Sequence, residues 1–531
     1  MPGIERGSAA SFYRTVLPIM ALSLLLMAPG IVLRHIVGHS SDLNISWALG
    51  FEQQLAKGVL YPRWLPEMND GAGSPVFYFY GPLPFYLSAP FTALFGDASL
   101  GVVLASTLML AASGLAIYLL CRIYAEPAIA LLAAALYMML PYHFAIDIWY
   151  RNAFAEQAAF VFMPLMAYCI LSLPNDWRFA LGLSLAFAGQ LFSHLPTALL
   201  FAPALVVLTL SVAWQARSWA VIAWSAAGGL LGIGLAAIYL LPAATLQNMI
   251  QASYWQAIIP AEHLFETDKN WEEFSFYLLP LVQFMAISVF FSAMLLRHRT
   301  ANRDVLIWAL IALVALFFTT VLAEPFWRHA GIFAYVQLPW RLLCVLDLCL
   351  AALLAILFQR QQFRRDIALT VLVLTILEAL IIAAGAQYYY YLQPGEPGLL
   401  SIHNDHLHTA VHVDATEYLP SCLDLSKAPY QAETYLRIGE NKTIAAQEGM
   451  LKVYDYPFLE VERDGKEIMR SCDPQTGFIH FDPAQGQGLV TIQKLTLPVE
   501  RTGQAVSLVN LAILLVAGFW AFVLSPRRKK L

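Results

Sequence analysis

Apolar runs of membrane-spanning length recur along almost the whole chain, and that recurrence narrows the available folds more than any other feature. They fall near 16–33, 98–120, 128–145, 157–173, 179–193, 196–214, 218–240, 276–296, 304–322, 339–358, 367–386 and 506–524. Crossing the hydrocarbon of a bilayer as helix takes about 17–25 residues, and most of these runs reach that length. Two of them, 128–145 and 179–193, are short. Lipid offers the backbone no hydrogen-bond partners, so each run must satisfy its own polar groups as a helix. The pattern predicts an α-helical polytopic membrane protein with about twelve spans. Composition agrees: 59% of the 531 residues are hydrophobic and 13% are charged, against about 25% charged in a soluble domain.

Lysine and arginine set the expected direction. With a cytoplasmic N-terminus and one crossing per run, fifteen of them fall in inner segments and seven in short outer loops. This is the asymmetry of the positive-inside rule, and it places both termini in the cytoplasm. The first run follows Arg6 and Arg14, and no clear A-x-A site comes after it, so it reads as an uncleaved anchor. No basic cluster points to nucleic acid.

Three units follow: a polytopic membrane domain over 1–386 with a large first extracytoplasmic loop at 34–97, an extracytoplasmic β-rich domain over 387–505, and a final transmembrane helix with a basic tail over 506–531. In the second unit, "LKVYDYPFLEVERDG" and "GLVTIQKLTLPV" alternate as strands do, and Asp464-Gly465 signals a hairpin. Cys422 and Cys472 both fall in this exported module, where a disulfide persists; a bridge and a coincidence of two thiols both fit. The first loop opens with "HSSDLNISWALGFEQQLAKG", whose Leu43, Trp47, Phe51 and Leu55 recur at helical spacing. It reads as an amphipathic helix along the outer surface. The next stretch, "YPRWLPEMNDGAGSPVFYFYGPLPFY" (61–86), is too rich in Pro and Gly for helix and too apolar for a disordered linker.

Charged and titratable groups at the membrane edge are costly unless paired or hydrated, which makes them the candidate site. On this topology they come from seven outer loops: His39 and Asp42; Arg63, Glu67 and Asp70; Asp147, Arg151 and Glu156; His194; Glu262 and His263; Glu324; and Arg341. Each has a plainer reading. Asp42 is a favoured helix-cap residue, the arginines can contact lipid headgroups, and His194 can be an ordinary loop histidine. Asp347 and Glu378 lie inside predicted spans and either pair there or act. Phe77, Tyr78, Phe79, Tyr80, Phe85 and Tyr86 fit an interfacial aromatic belt, or the wall of a polyprenyl groove.

Taken together, Asp42 just outside the first span, the 61–86 stretch, and a multi-helix body ending in an outer domain resemble the GT-C superfamily of integral-membrane glycosyltransferases. The "PRW…G.G.P.F.FY.PL" pattern and the later "EYLP" (417–420) are similar to bacterial membrane proteins labelled 6-pyruvoyl-tetrahydropterin-synthase-related or YfhO-like. The resemblance implies a bacterial inner (plasma) membrane location and a polyprenyl-phosphate-linked sugar donor. It implies transfer at the outer face to a lipid or glycan acceptor, amid membrane lipids. Asp42 takes the position of the base, and Arg63, Arg151 and Arg341 become candidates for the lipid phosphate. Glu67, Asp70, Glu156 and His194 complete the expected substrate-binding set. Where some GT-C proteins carry a D-x-D or E-x-D pair, this chain reads "SSD"; the residues name no metal ligands, and a divalent cation stays open. Two other functions fit the same residues: a transporter or flippase of lipid-linked sugars, and a non-catalytic envelope-assembly protein.

Overall fold

The computed structural model describes residues 9–253, 258–265, 303–360, 415–425, 449–482 and 490–524, with single positions at 377, 381 and 384. Seven helices among them are long and apolar enough to cross a bilayer: 13–33, 98–121, 127–150, 154–172, 195–216, 339–359 and 498–519. Two more spans are bent pairs, Ala220–Leu235 with Ala237–Thr245 at 70° and Arg303–Phe317 with Val321–Trp327 at 81°. The chain is a multi-pass helical membrane protein with seven to nine candidate spans among the described residues, where the sequence suggested about twelve. Of the other expected spans, 179–193 forms a helix of 15 residues. At 1.5 Å per residue it is about 22 Å long, short of the roughly 30 Å hydrocarbon core. The runs at 276–296 and 367–386, the latter with Glu378, lie outside the described residues apart from three isolated positions.

In chain order the first elements are α1 (Ala9–Leu33), α2 (Ser41–Ala56), α3 (Leu83–Phe95), α4 (Ala98–Cys121) and α5 (Pro127–Met139). A π-helical turn over Tyr142–Tyr150 continues α5 and leads into α6 (Phe154–Ser172), α7 (Phe179–Ser193) and α8 (Leu195–Ala216). The π geometry has a local cause. The Pro141 carbonyl accepts from both Ala145 N and Ile146 N, and the Ile146 carbonyl accepts from Arg151 N at 2.8 Å. The wider turn gives the segment an extra residue, a device often found at functional sites in membrane helices.

Two large apolar cores, with a small third one at Leu191, Ala198 and Ala236, are found among the described residues. The first joins residues of α1, α4–α8 and the Arg303–Phe317 and Leu343–Arg360 helices, and is the membrane body. The second joins α2, the 61–86 stretch and the β-strands near the C-terminus. Those strands are β1 (Met450–Tyr454), β2 (Leu459–Arg463), β3 (Lys466–Glu467), β4 (Arg470–Cys472), β5 (Phe478–Phe481) and β6 (Val490–Lys494). They form two antiparallel three-stranded sheets, β1-β5-β4 and β3-β2-β6. The β2–β3 hairpin turns at Asp464-Gly465, both with positive φ, the backbone that Asp-Gly supplies in a type I′ turn. Cys422 and Cys472 are bridged, with Cα atoms 6.3 Å apart.

The second core explains the 61–86 stretch. Leu65 and Ser74 exchange backbone hydrogen bonds at 2.9 Å, closing a short loop. Tyr454 N donates to the Ala72 carbonyl, and Trp64 packs edge-on against Tyr456 and Phe458. Gly73 is required there, since a Cβ would lie 1.9 Å from the Trp64 ring. The stretch is thus an aromatic slab clamped between helices and sheet. On its other side Tyr239 donates to the Phe79 carbonyl, and Gly81 passes so close to the end of α7 that a Cβ would meet the Ser193 carbonyl at 1.8 Å.

Two expectations need correction. Helix α2 does not lie along the surface: Trp47 and Phe51 are buried, and so are the polar Ser41, Asn44 and Ser46. Its polar side is used as well as its apolar one, because Asn44 bonds to another loop. The last helix begins at Pro498 instead of 506. Its polar first turn carries Glu500, which is buried because it is paired.

Candidate active site

The π-helical turn and the start of α6 put Asp147, Arg151 and Glu156 within reach of one another. Arg151 Nη1 donates to Asp147 Oδ1 at 2.8 Å, to Glu156 Oε2 at 2.9 Å and to the Tyr142 hydroxyl at 3.3 Å. Tyr142 in turn donates to Glu156 Oε1 at 2.6 Å. From the opposite side, Arg341 Nε lies 3.4 Å from Glu156 Oε2, and its Nη1 donates to the Val336 carbonyl at 2.7 Å. Trp340 supports the cluster with its ring 4.8 Å from the Arg151 guanidinium. Two arginines therefore converge on one carboxylate, and Glu156 itself is almost wholly buried.

Hydrogen bonding leaves these arginines one-sided. One Arg151 nitrogen takes three acceptors, while Nε and Nη2 make no hydrogen bond among the described residues and are not sealed from the surface. Arg341 Nη2 likewise makes no hydrogen bond among the described residues, and its Nε, 3.4 Å from Glu156, is buried without one. The inner edges are fixed by the protein and the outer edges are presented. Burial works against the charge on Arg151, but Glu156, Tyr142 and Asp147 outweigh it and raise its pKa, so it stays a cation.

His194 caps α8 at the α7–α8 corner, with Nδ1 2.5 Å from Thr197 Oγ1. Burial lowers its pKa, opposed by Glu156 and reinforced by Arg341 and Arg151, so the imidazole is neutral at pH 7. Tyr80, from the aromatic slab, faces the same four charges. Burial pushes its pKa up to about 12, which keeps its hydroxyl protonated. Deeper in the body, Asp347 accepts from His143 N at 3.2 Å, steadying the π-helical turn from below.

Asp42 sits in the first turn of α2, exposed, one residue after Ser41; Ser40 holds the N-cap position. A carboxylate there is favoured by the helix dipole. The turn that carries it is laid against the Arg151 loop. His39 N donates to the Tyr150 carbonyl and Ser40 N to the Arg151 carbonyl, at 3.1 and 3.0 Å.

The other expected residues lie elsewhere. Arg63 donates to the Ile238 carbonyl at 2.8 Å, stacks over Tyr61 at 4.0 Å and lies 3.6 Å from Glu500. Glu500 also accepts from Tyr78 and lies 3.4 Å from Lys494. That is a second buried ion cluster, joining slab, β6 and last helix. Glu67 is half-buried, and its carbonyl accepts from Gly71 N. Asp70 lies on the turn Asn69–Gly71, and its side chain is outside the described residues. Glu324 pairs with Arg328 at the end of the second bent pair of helices, and Glu262 closes a short 3-10 turn. Among the described residues no three His, Cys, Asp or Glu side chains gather as a metal site.

Residues 80–254 match the dolichyl-phosphate-mannose-protein mannosyltransferase family. The mannosyltransferase match covers about a third of the chain and includes Tyr80, Asp147, Arg151, Glu156 and His194, while Asp42 and Arg341 lie outside it. Among solved structures, the chain is similar to the arabinofuranosyltransferase AftD from Mycobacteria at 16% identity and a TM-score of 0.46, over 72% of this chain. It spans only 27% of that protein's length. It is also similar to ArnT from Cupriavidus metallidurans, solved bound to undecaprenyl phosphate, at 13% identity and a TM-score of 0.44, over 76% of this chain and 70% of that one. No curated protein matches.

Proposed function

We propose that the protein is a GT-C-type membrane glycosyltransferase that takes a sugar from a polyprenyl phosphate at the extracytoplasmic face and passes it to a lipid or glycan acceptor. The observation that carries this reading is the convergence of Arg151 and Arg341 on Glu156. Arg151 is hydrogen-bonded to it and Arg341 is held by the Val336 carbonyl, each with a guanidinium nitrogen that makes no hydrogen bond among the described residues. Guanidinium forks suit the phosphate that must leave. The mannosyltransferase match over 80–254 supports it independently, as does the likeness of the 61–86 stretch to the YfhO-like group.

In this reaction an acceptor hydroxyl attacks the anomeric carbon while the bond from that carbon to the phosphate oxygen breaks. The bond pair leaves with the lipid phosphate, whose growing charge meets Arg151 and Arg341, with the Tyr80 hydroxyl as a further donor. The acceptor proton goes to Asp42, and a positioned carboxylate contributes roughly 10²–10⁴-fold by accepting it. Neutral His194 adds no charge to compete for the phosphate.

The test is release of free polyprenyl phosphate from a panel of polyprenyl-phosphate sugars by the purified protein in detergent, followed by mass spectrometry. Wild type should release it and Asp42→Asn should not, while both bind undecaprenyl phosphate. Full activity in Asp42→Asn removes that residue from the chemistry. A second reading, movement of a lipid-linked sugar across the bilayer, draws on the two bent spans, since broken helices are common in transporters. Binding of a donor without release by any variant favours it.

A further inference from the structure

The loop that follows Arg151 is held by more than its own helices. Asn152 adopts a left-handed backbone, φ 47°, and is fully buried. Its side-chain Nδ2 donates to Ser41 Oγ at 3.0 Å, and its carbonyl accepts from Asn44 Nδ2 at 2.6 Å. Ser41 is itself anchored, donating to the Ile36 carbonyl at 2.7 Å. With the bonds from His39 N and Ser40 N to Tyr150 and Arg151, residues 39–44 and 150–152 form a strip of four hydrogen bonds, two backbone and two side-chain. Gly38 admits the close approach, since a Cβ there would press on the Tyr150 carbonyl and Asn152 N at 3.1 and 3.2 Å.

The strip does little for a hydrophobic core, and its side-chain bonds sit between the residues proposed to bear the two halves of the chemistry. Asp42 is one residue from Ser41, and Arg151 is one residue from Asn152. The strip is not needed to hold α2, which already packs through Trp47 and Phe51. Asn152 holds a left-handed backbone, and its Oδ1 and that of Asn44 are buried without a hydrogen-bond partner, a cost that register would justify.

We infer that Asn152, with Ser41 and Asn44, is a positioning clasp that fixes the Asp42 turn against the phosphate-facing edge of Arg151, so that base and leaving-group site keep one spacing. This rests on the glycosyltransferase reading for its purpose, though the coupling is testable without turnover. Misplacing reacting groups by about 1 Å costs on the order of 10²-fold in rate.

The experiment uses the full-length protein in detergent, with Asn152→Gly and Ser41→Ala. Glycine keeps the left-handed backbone and removes only the side-chain bond; alanine cuts that bond from the other side, together with the one from Ser41 to the Ile36 carbonyl. Hydrogen exchange of residues 38–44 is followed with and without undecaprenyl phosphate, alongside its binding and polyprenyl phosphate release. In wild type the lipid should slow exchange at His39 and Ser40. In either variant the slowing should vanish while binding holds within a few-fold, and release should fall roughly 10²-fold. The double variant should lose little more than the worse single one. Slowing that persists in both variants, or binding that falls in parallel with release, overturns the clasp. If wild type does not bind the lipid, the clasp falls with the anion site. Wild-type binding with slowed exchange but no release from any donor sinks the transferase reading and leaves the clasp standing.

Discussion

Glu156→Gln separates the two jobs that the central carboxylate performs. Glu156 lies 2.9 Å from Arg151 and 3.4 Å from Arg341, and all three side chains are close to fully buried, at 1%, 12% and 11% exposure. At an effective dielectric of about 20, each contact carries a gross attraction of about 5 kcal/mol, before desolvation is subtracted. Breaking a buried pair on one side typically costs about 3–5 kcal/mol net, because the stranded charge has nowhere to go. Glutamine keeps the shape and the Tyr142 hydrogen bond but turns two neutralised arginines into two that lack their shared counter-ion. The lipid-free variant should therefore melt several degrees below wild type. An anionic lipid should reverse the order of effects. Wild type gains about 2.7 kcal/mol at a ligand concentration of 100 times Kd, and the variant should gain more, because the phosphate replaces the missing carboxylate. Thermal unfolding in detergent, with and without undecaprenyl phosphate, reads both changes. A variant that is as stable as wild type without lipid, or that gains no more from lipid, would refute the placement of the phosphate on these arginines.

Two further substitutions probe the frame around the cluster. Gly81→Ala drives a Cβ to within 1.8 Å of the Ser193 carbonyl, a backbone atom at the corner bearing His194; it should lose about 1–3 kcal/mol or more in unfolding assays, whereas Gly229→Ala, with open space around it, should be neutral. For His194, burial lowers the folded pKa below the unfolded value of about 6.5. The unfolded chain then binds the extra proton, so this contribution is complete above pH 6.5 and is lost as pH falls below it. His194→Gln should flatten the decline of melting temperature between about pH 6.5 and 4, and an unchanged slope would assign the decline to other groups.

Much of this architecture could be read from the chain because lipid imposes a simple rule. Among the described residues most apolar runs are helices near their expected bounds, and the Asp464-Gly465 turn followed from local backbone preference. Asp147, Arg151, Glu156 and Arg341 stood out because charge at a membrane edge needs a reason. What stayed hidden depends on partners distant in sequence. Arg63 resembled the other arginines, yet its companion is Glu500, which also binds Tyr78, 422 residues away. Tyr80 read as a belt or groove aromatic and Tyr142 drew no reading, since nothing local reveals that a hydroxyl will face a charge cluster. Asn44 marked a polar helix face and turned inward because residue 152 offered it a carbonyl. The early start of the last helix was masked for the same reason, as Glu500 in its first turn is tolerable only when paired.

The aromatic slab has a consequence for the way the protein is made. Its outer partners, Tyr418, Tyr456, Phe458 and Glu500, leave the ribosome long after the slab itself. At about 5–20 residues per second, Glu500 emerges roughly 20–85 s after Tyr78. Through that interval Trp64, Tyr78 and their neighbours wait with one face uncovered, dependent on the membrane surface or a chaperone for shelter. A chain truncated between residues 360 and 450 would retain Arg151, Glu156 and Arg341 and lack the sheets that clamp the slab. One uncovered aromatic surface thus marks a chain that lacks its β-sheets.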